Sequence, residues 1–226
     1  MKKTKFNWLT LSAAALLALT FAGQSFAAAD AFQDLSGTPA RDKIAALQQK
    51  GVLHGVSAAQ FKPNAPVTAA QGIQMFVNAF GLNLDTIRFV KAPLATDYFV
   101  KASNDAWYAD ALIIAANNAM DLPADLDPAK NWTREEFTHW LILTIEKHSN
   151  LPMIKIMPVD IADSTEFTNG YDGSIQRALA LRIASLDSAG KFDPAAGITR
   201  AEAAEMIYNA LEYIAAHPAP AGDLPE

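Results

Sequence analysis

Arg134 and Arg200 are the side chains whose position most invites a ligand. Each follows a threonine that opens a helical pattern, in Thr133-Arg134-Glu135-Glu136 and in Thr199-Arg200-Ala201-Glu202. Both guanidinium groups therefore stand at the first helical position, beside the positive end of the helix dipole. A cation there is disfavoured by roughly 0.3–1 kcal/mol. A carboxylate or phosphate would relieve this, held by the guanidinium and the open amides of the helix start. The competing arrangement turns the arginine back onto a neighbouring acid such as Glu135. Because the cation opposes the dipole, Arg200→Ala is expected to leave stability nearly unchanged, and Arg134→Ala to act alike.

Catalytic chemistry has little to stand on. Glu136-x-x-His139 is half of a di-iron carboxylate pattern without a second copy. Asp121, Asp125 and Asp127 crowd one loop but lack the order of a calcium-binding hand. There is no H-E-x-x-H, no G-x-S-x-G and no phosphate-cradling glycine loop. No catalytic residue, metal ligand or cofactor is expected. Cysteine is absent, which removes thiol chemistry and disulfides. A net charge of −6 and a pI near 5.2 argue against a nucleic-acid surface.

The elements that must carry these arginines repeat three times. Phe61-x-Pro63, Leu126-x-Pro128 and Phe192-x-Pro194 are each followed by a threonine, at Thr68, Thr133 and Thr199. Each threonine has Glu or Gln three residues on: Gln71, Glu136 and Glu202. That is the capping box, in which hydroxyl and acid or amide satisfy two helix-start amides reciprocally. Val67, Trp132 and Ile198 precede the caps, where a hydrophobic staple begins, with Phe137 a partner for Trp132. Apolar residues then recur at helical spacing, as in Ile73, Phe76, Val77 and Phe80. A shorter apolar helix precedes each Pro turn, around Ile44 and Leu47, around Leu112, Ala115 and Ala116, and from Ile175 to Ile183. Gly51 is a plausible C-cap for the first. One helix pair cannot bury its apolar faces, so three are expected to pack as one unit.

Ahead of the repeats, Lys2, Lys3 and Lys5 precede an apolar run from Trp8 to Ala22 and then Ser25-Phe26-Ala27. Positive, apolar and small is the order of a secretory signal peptide. The run is shorter than the roughly 20 residues that span a bilayer. Cleavage after Ala27, or after Ala29, is expected. It removes three of the 18 basic residues and no acidic one. The expected organisation is signal peptide 1–27, repeats 28–84, 85–156 and 157–216, and a frayed tail 217–226. After export nothing but the repeats is expected, with no membrane insertion.

Phe32-Gln33-Asp34, Gly51-Val52, Phe61-x-Pro63 and above all Ile198-Thr199-Arg200-Ala201-Glu202 resemble the S-layer homology repeat, with Thr133-Arg134-Glu135-Glu136 a partial match. The resemblance implies an all-α fold of three tandem helix-loop-helix repeats, in a pseudo-threefold arrangement around a central three-helix bundle. It also implies non-covalent attachment to secondary cell-wall polymer, often through a pyruvylated sugar, in grooves between repeats. In that family the motif arginine, an aspartate near the repeat start and an aromatic residue line the groove. Carried onto this chain, the set is Arg134, Arg200, Trp107, Asp97 and Asp163, the last sharing its claim with Asp160. Trp107 either packs or stacks on a sugar. Asp97 and Asp34 either cap the first helices or accept from sugar hydroxyls.

The family pattern is incomplete. Ala69 replaces the motif arginine in the first repeat, Pro39 and Gly170 replace the tryptophan, and Arg182 replaces the glycine that matches Gly51. One or two working grooves are expected, not three. The rival reading is a structural protein of the envelope whose degenerate repeats bind S-layer or other envelope proteins. Either way the expected place is the cell wall or surface of a Gram-positive-type envelope.

Overall fold

The computed structural model describes residues 32–149 and 157–218. The expected signal peptide 1–27, the end of the second expected repeat and most of the expected tail lie outside them. The described residues hold six α-helices: α1 (Arg41–Gln49), α2 (Ala69–Phe80), α3 (Ala109–Asn117), α4 (Arg134–His148), α5 (Asp172–Ala180) and α6 (Arg200–Ala216). Two 3₁₀ turns precede α3 and α5, at Ala95–Asp97 and Ser164–Glu166. No strand appears among the described residues, so the fold is all-α.

Helices α2, α4 and α6 each start at a threonine in extended conformation, with both halves of the capping box made. The amides just inside the caps bond across repeats. The Ala69 and Ala70 amides donate to the carbonyls of Lys130 and Pro128, those of Arg134 and Glu135 to Ala196 and Pro194, and those of Arg200 and Ala201 to Ala65 and Pro63. The three prolines are those of the repeated turn motif, and here each supplies a carbonyl to a neighbour's helix start. One residue before each cap the bonds close a ring: Val67 N to Ile198 O at 3.1 Å, Ile198 N to Trp132 O at 3.1 Å, and Trp132 N to Val67 O at 2.9 Å. All three residues are buried, so these amides have no water to fall back on. The helix-start amides that the sequence reading left open for an anion are therefore taken.

The three helix pairs pack together by taking partners from other repeats. α1 packs chiefly on α6, α3 on α2 and α5 on α4, while α2, α4 and α6 touch one another. Each short helix leans on the capped helix of another repeat, and the first repeat closes onto the last. Between α2 and α4, Phe76, Trp132 and Phe137 form an aromatic cluster with ring centroids 5.0–6.2 Å apart. Gly72 permits it, because a Cβ there would sit 2.4 Å from the Trp132 ring.

The short helices end alike. Gly51, Ala119 and Arg182 follow their C-caps with φ of 70°, 54° and 57°. The next amides, of Val52, Met120 and Ile183, reach back to the carbonyls of Leu47, Ala115 and Ala178, as in a Schellman turn. Only glycine adopts this conformation without cost. Arg182 is exposed, so Arg182→Gly should raise stability by about 0.5–1 kcal/mol, the left-handed strain less the extra freedom of the unfolded chain. Urea midpoints of the two proteins check this; an unchanged or lower midpoint contradicts it.

Candidate functional site

Among the grooves of the described residues, three occupy matching places between repeats. One of these, about 620 Å³, is floored by α2 through Gln71, Gln74, Met75 and Asn78 and walled by the loop from Val52 to Val56. Trp107, just ahead of α3, and Arg200, at the start of α6, complete it. Helix packing explains the meeting: α3 lies on α2 and carries Trp107 to its rim, while the carbonyls of Ala65 and Pro63 seat the start of α6 beside the first repeat. Trp107 is 63% exposed, with its ring edge-on to Tyr108 at 5.5 Å. It is an exposed rim residue and not a core residue.

Arg200 is only 6% exposed. Its Nε donates to Phe61 O at 2.8 Å and its Nη2 to His54 O at 2.9 Å, and the guanidinium lies 4.5 Å from the Phe61 ring centroid. Nη1 has no partner among the described residues. Burial lowers its pKa and the Asp34 charge opposes that; an arginine stays protonated regardless. Around this guanidinium the lining holds no carboxylate: Gln71, Gln74 and Asn78 supply amides, and His54 and apolar residues the rest. Gln74 Nε2 donates to Asn78 Oδ1 at 2.9 Å, which holds two of those amides in place.

The second groove is built from matching positions and is closed by charge. Arg134 Nη1 pairs with Glu202 Oε1 at 2.8 Å, Nη2 donates to Ser185 O at 2.9 Å, and the guanidinium lies 5.0 Å from the Phe192 ring centroid. Lys43 bridges Glu205 at 2.7 Å and Asn209 at 2.9 Å. About 150 Å³ remains, lined by two carboxylates. Arg134 thus meets an acid of the neighbouring repeat, not Glu135 as the alternative reading had it. Glu135 is buried and accepts from Thr168 N at 2.9 Å and from the Thr168 hydroxyl.

The aspartates lie in neither groove. Asp163, 4% exposed, accepts from Phe192 N at 2.9 Å and Asp193 N at 2.8 Å. Asp34 does the same for Phe61 N at 2.9 Å and Lys62 N at 2.7 Å. This parallel decides between the two candidates: Asp163 matches Asp34, while Asp160 is exposed. Asp97 accepts from Leu94 N at 2.8 Å and ties its own 3₁₀ turn. Asp97 and Asp163 are therefore placed as loop anchors, away from Arg200. The sequence reading passed over Gln71, Gln74, Asn78 and His54 as groove residues. Gln71 was visible only as a cap, and the others carry no pattern a single chain could reveal.

Burial raises the pKa of Asp34 and Asp163, but the backbone amides they accept from outweigh it, with Arg200 helping Asp34 and Lys191 helping Asp163, and both end below the usual value. A carboxylate with a lower pKa folded than unfolded contributes stability above its unfolded value, about pH 4, and loses it as pH falls through the folded value. Urea midpoints should therefore drop steeply below about pH 4. Asp163→Asn should flatten that drop; an unchanged acid profile contradicts the assignment.

No helix among the described residues is long and apolar enough to cross a membrane. The chain is 27% identical over 184 residues to Exoglucanase XynX of Acetivibrio thermocellus, covering 80% of this chain and 16% of that protein. It is equally similar, at 27% over 184 residues, to the Amylopullulanase of Thermoanaerobacterium thermosulfurigenes, covering 9% of that protein. The chain thus spans a small part of these relatives. The S-layer homology domain matches residues 31–71 and 161–204, the segments that carry Asp34 with the first cap and Asp163 with Arg200. The chain therefore carries S-layer homology domain segments in its first and last repeats.

Proposed function

We propose that this chain anchors to an anionic secondary cell-wall polymer through the groove that joins Arg200 and Trp107. One observation carries the reading: of the three grooves, this one alone sets a guanidinium and an exposed aromatic face together with no carboxylate in its lining. The free Nη1 of Arg200 would take a carboxylate of the kind a pyruvylated sugar bears, and Trp107 would stack on the ring. The helix-start amides take no part. Binding is monovalent, because Arg134 is consumed by Glu202. Attachment is non-covalent, the chain performs no catalysis, and the site of action is the wall of a Gram-positive-type envelope. Export through the leader 1–27 and a pseudo-threefold relation among repeats 28–84, 85–156 and 157–216 complete the proposal.

Co-sedimentation with purified walls tests it. The protein should pellet with walls that carry the polymer and stay in solution with walls stripped of it. Retention should weaken with added salt, as a charge contact does. Trp107→Ala removes an exposed ring and should cut affinity about tenfold, roughly 1.4 kcal/mol, without moving the melting temperature. Equal sedimentation with stripped walls would overturn the reading in favour of a structural protein that binds other envelope proteins.

A further inference from the structure

Large apolar side chains stand in water where the chain passes from the first repeat to the second. Arg88, Phe89, Val90, Lys91 and Ala92 are exposed in succession, and Leu94 is exposed after them. Val90 stands wholly clear of the molecule. None of these residues lines a groove between repeats. The loop leaves the C-terminal end of α2, beyond the turns that floor the Arg200 groove. Both its feet are fixed. Leu82 is buried, Asn83 O accepts from Asn118 Nδ2 at 2.9 Å, and Leu84 O accepts from Ile87 N at 2.9 Å. On the other side Leu94 N donates to Asp97 Oδ2 at 2.8 Å, and Ala95 is buried. The tip is held outward before any partner arrives, so little ordering entropy is lost on contact.

Charge narrows the partner. Arg88 and Lys91 flank Phe89 and Val90 and make no ion pair among the described residues. Asp85 is the exposed carboxylate beside them, while Asp97 is tied to its own turn. The chain as a whole carries −6, so the tip opposes the sign of the molecule. Charges farther off than about 8 Å are largely screened at physiological salt, and a surface that touches the tip meets mainly Arg88 and Lys91. A two-fold dimer through this loop would set those cations against their own copies. A bound peptide needs a groove to lie in, and the loop is a protrusion. An anionic bilayer fits both features: its interface admits an aromatic ring and a small apolar side chain, and its headgroups attract the flanking bases.

We propose that the tip 88–91 is a peripheral contact for an anionic lipid bilayer, with Phe89 and Val90 entering the headgroup layer and Arg88 and Lys91 meeting lipid phosphates. No helix among the described residues spans the bilayer, so the contact is shallow and reversible. It is independent of the anionic-polymer reading, because it shares neither Arg200 nor Trp107. Co-sedimentation with vesicles is the test. It uses the chain from Ala28, which keeps all six described helices and lacks the apolar run 8–22 that would itself enter lipid. The protein should pellet with vesicles of equal parts phosphatidylcholine and phosphatidylglycerol, stay in solution with phosphatidylcholine alone, and be released by salt. Phe89→Ser should weaken binding about tenfold. The double change Arg88→Gln with Lys91→Gln should weaken it about tenfold as well. Both alter exposed side chains and should leave the melting temperature in place. Trp107→Ala should bind as before. No sedimentation with the mixed vesicles overturns the proposal. So does full binding in Phe89→Ser, which would mean adsorption by charge alone, or full binding in the double glutamine variant. A lipid-free dimer that Phe89→Ser dissolves would also overturn it and assign the loop to self-association.

Discussion

Arg200→Ala should cost the fold about 2–4 kcal/mol, because it strands a buried carbonyl and removes a cation that favours the charged form of Asp34. Phe61 O lies in the core and accepts from the arginine Nε. The guanidinium also covers the Phe61 ring, and a methyl group leaves that face unpacked. Arg134→Ala should cost less, about 1–2 kcal/mol, since its lost contacts with Glu202 and Ser185 O are nearer solvent. The dipole argument from sequence expected both to be nearly harmless. It fails because the dipole effect lives within the first turn, whereas these side chains reach across to another repeat. Polymer binding should separate them further: measured well below the melting point, Arg200→Ala should bind more than tenfold more weakly, and Arg134→Ala should bind as before. Urea unfolding beside polymer titration reads both effects. A loss of stability under about 0.5 kcal/mol for Arg200→Ala would refute the buried arrangement.

The segment 157–216, made alone, should show almost no helix and no cooperative melt. Both its helices take their main packing partner from outside the segment, α5 from α4 and α6 from α1. The Arg200 and Ala201 amides lose the carbonyls of Ala65 and Pro63. Ile198 loses its place in the ring with Val67 and Trp132. Nine residues without a side-chain cap, as in α5, cannot hold a helix in water. Circular dichroism of the segment against the whole chain is the measurement. A sharp melt of the segment with full helical content would show that the repeat is self-sufficient and the ring incidental.

What could be read from the chain alone was local. The capped helices start at Thr68, Thr133 and Thr199 because a hydroxyl and a side chain three residues later meet within one turn. The all-α class followed from apolar spacing over each helix, which needs no knowledge of a partner. Arg182 was recognisable as standing where a glycine belongs, since the turn it occupies is set by the helix just before it. The tertiary structure decided the rest. Repeat spacing leaves open whether α1 leans on α2 or on α6, because either contact hides the same apolar stripe. Once α6 closes on the first repeat, Arg200 falls into the groove that α3 furnishes with Trp107, and Arg134 falls beside Glu202. The two arginines occupy equivalent places in their helices and differ only in what the neighbouring repeat puts opposite them. One keeps an Nη1 without a partner among the described residues and the other is neutralised from within. That outcome depends on residues far apart in the chain, and only the closed ring of helices brings them together.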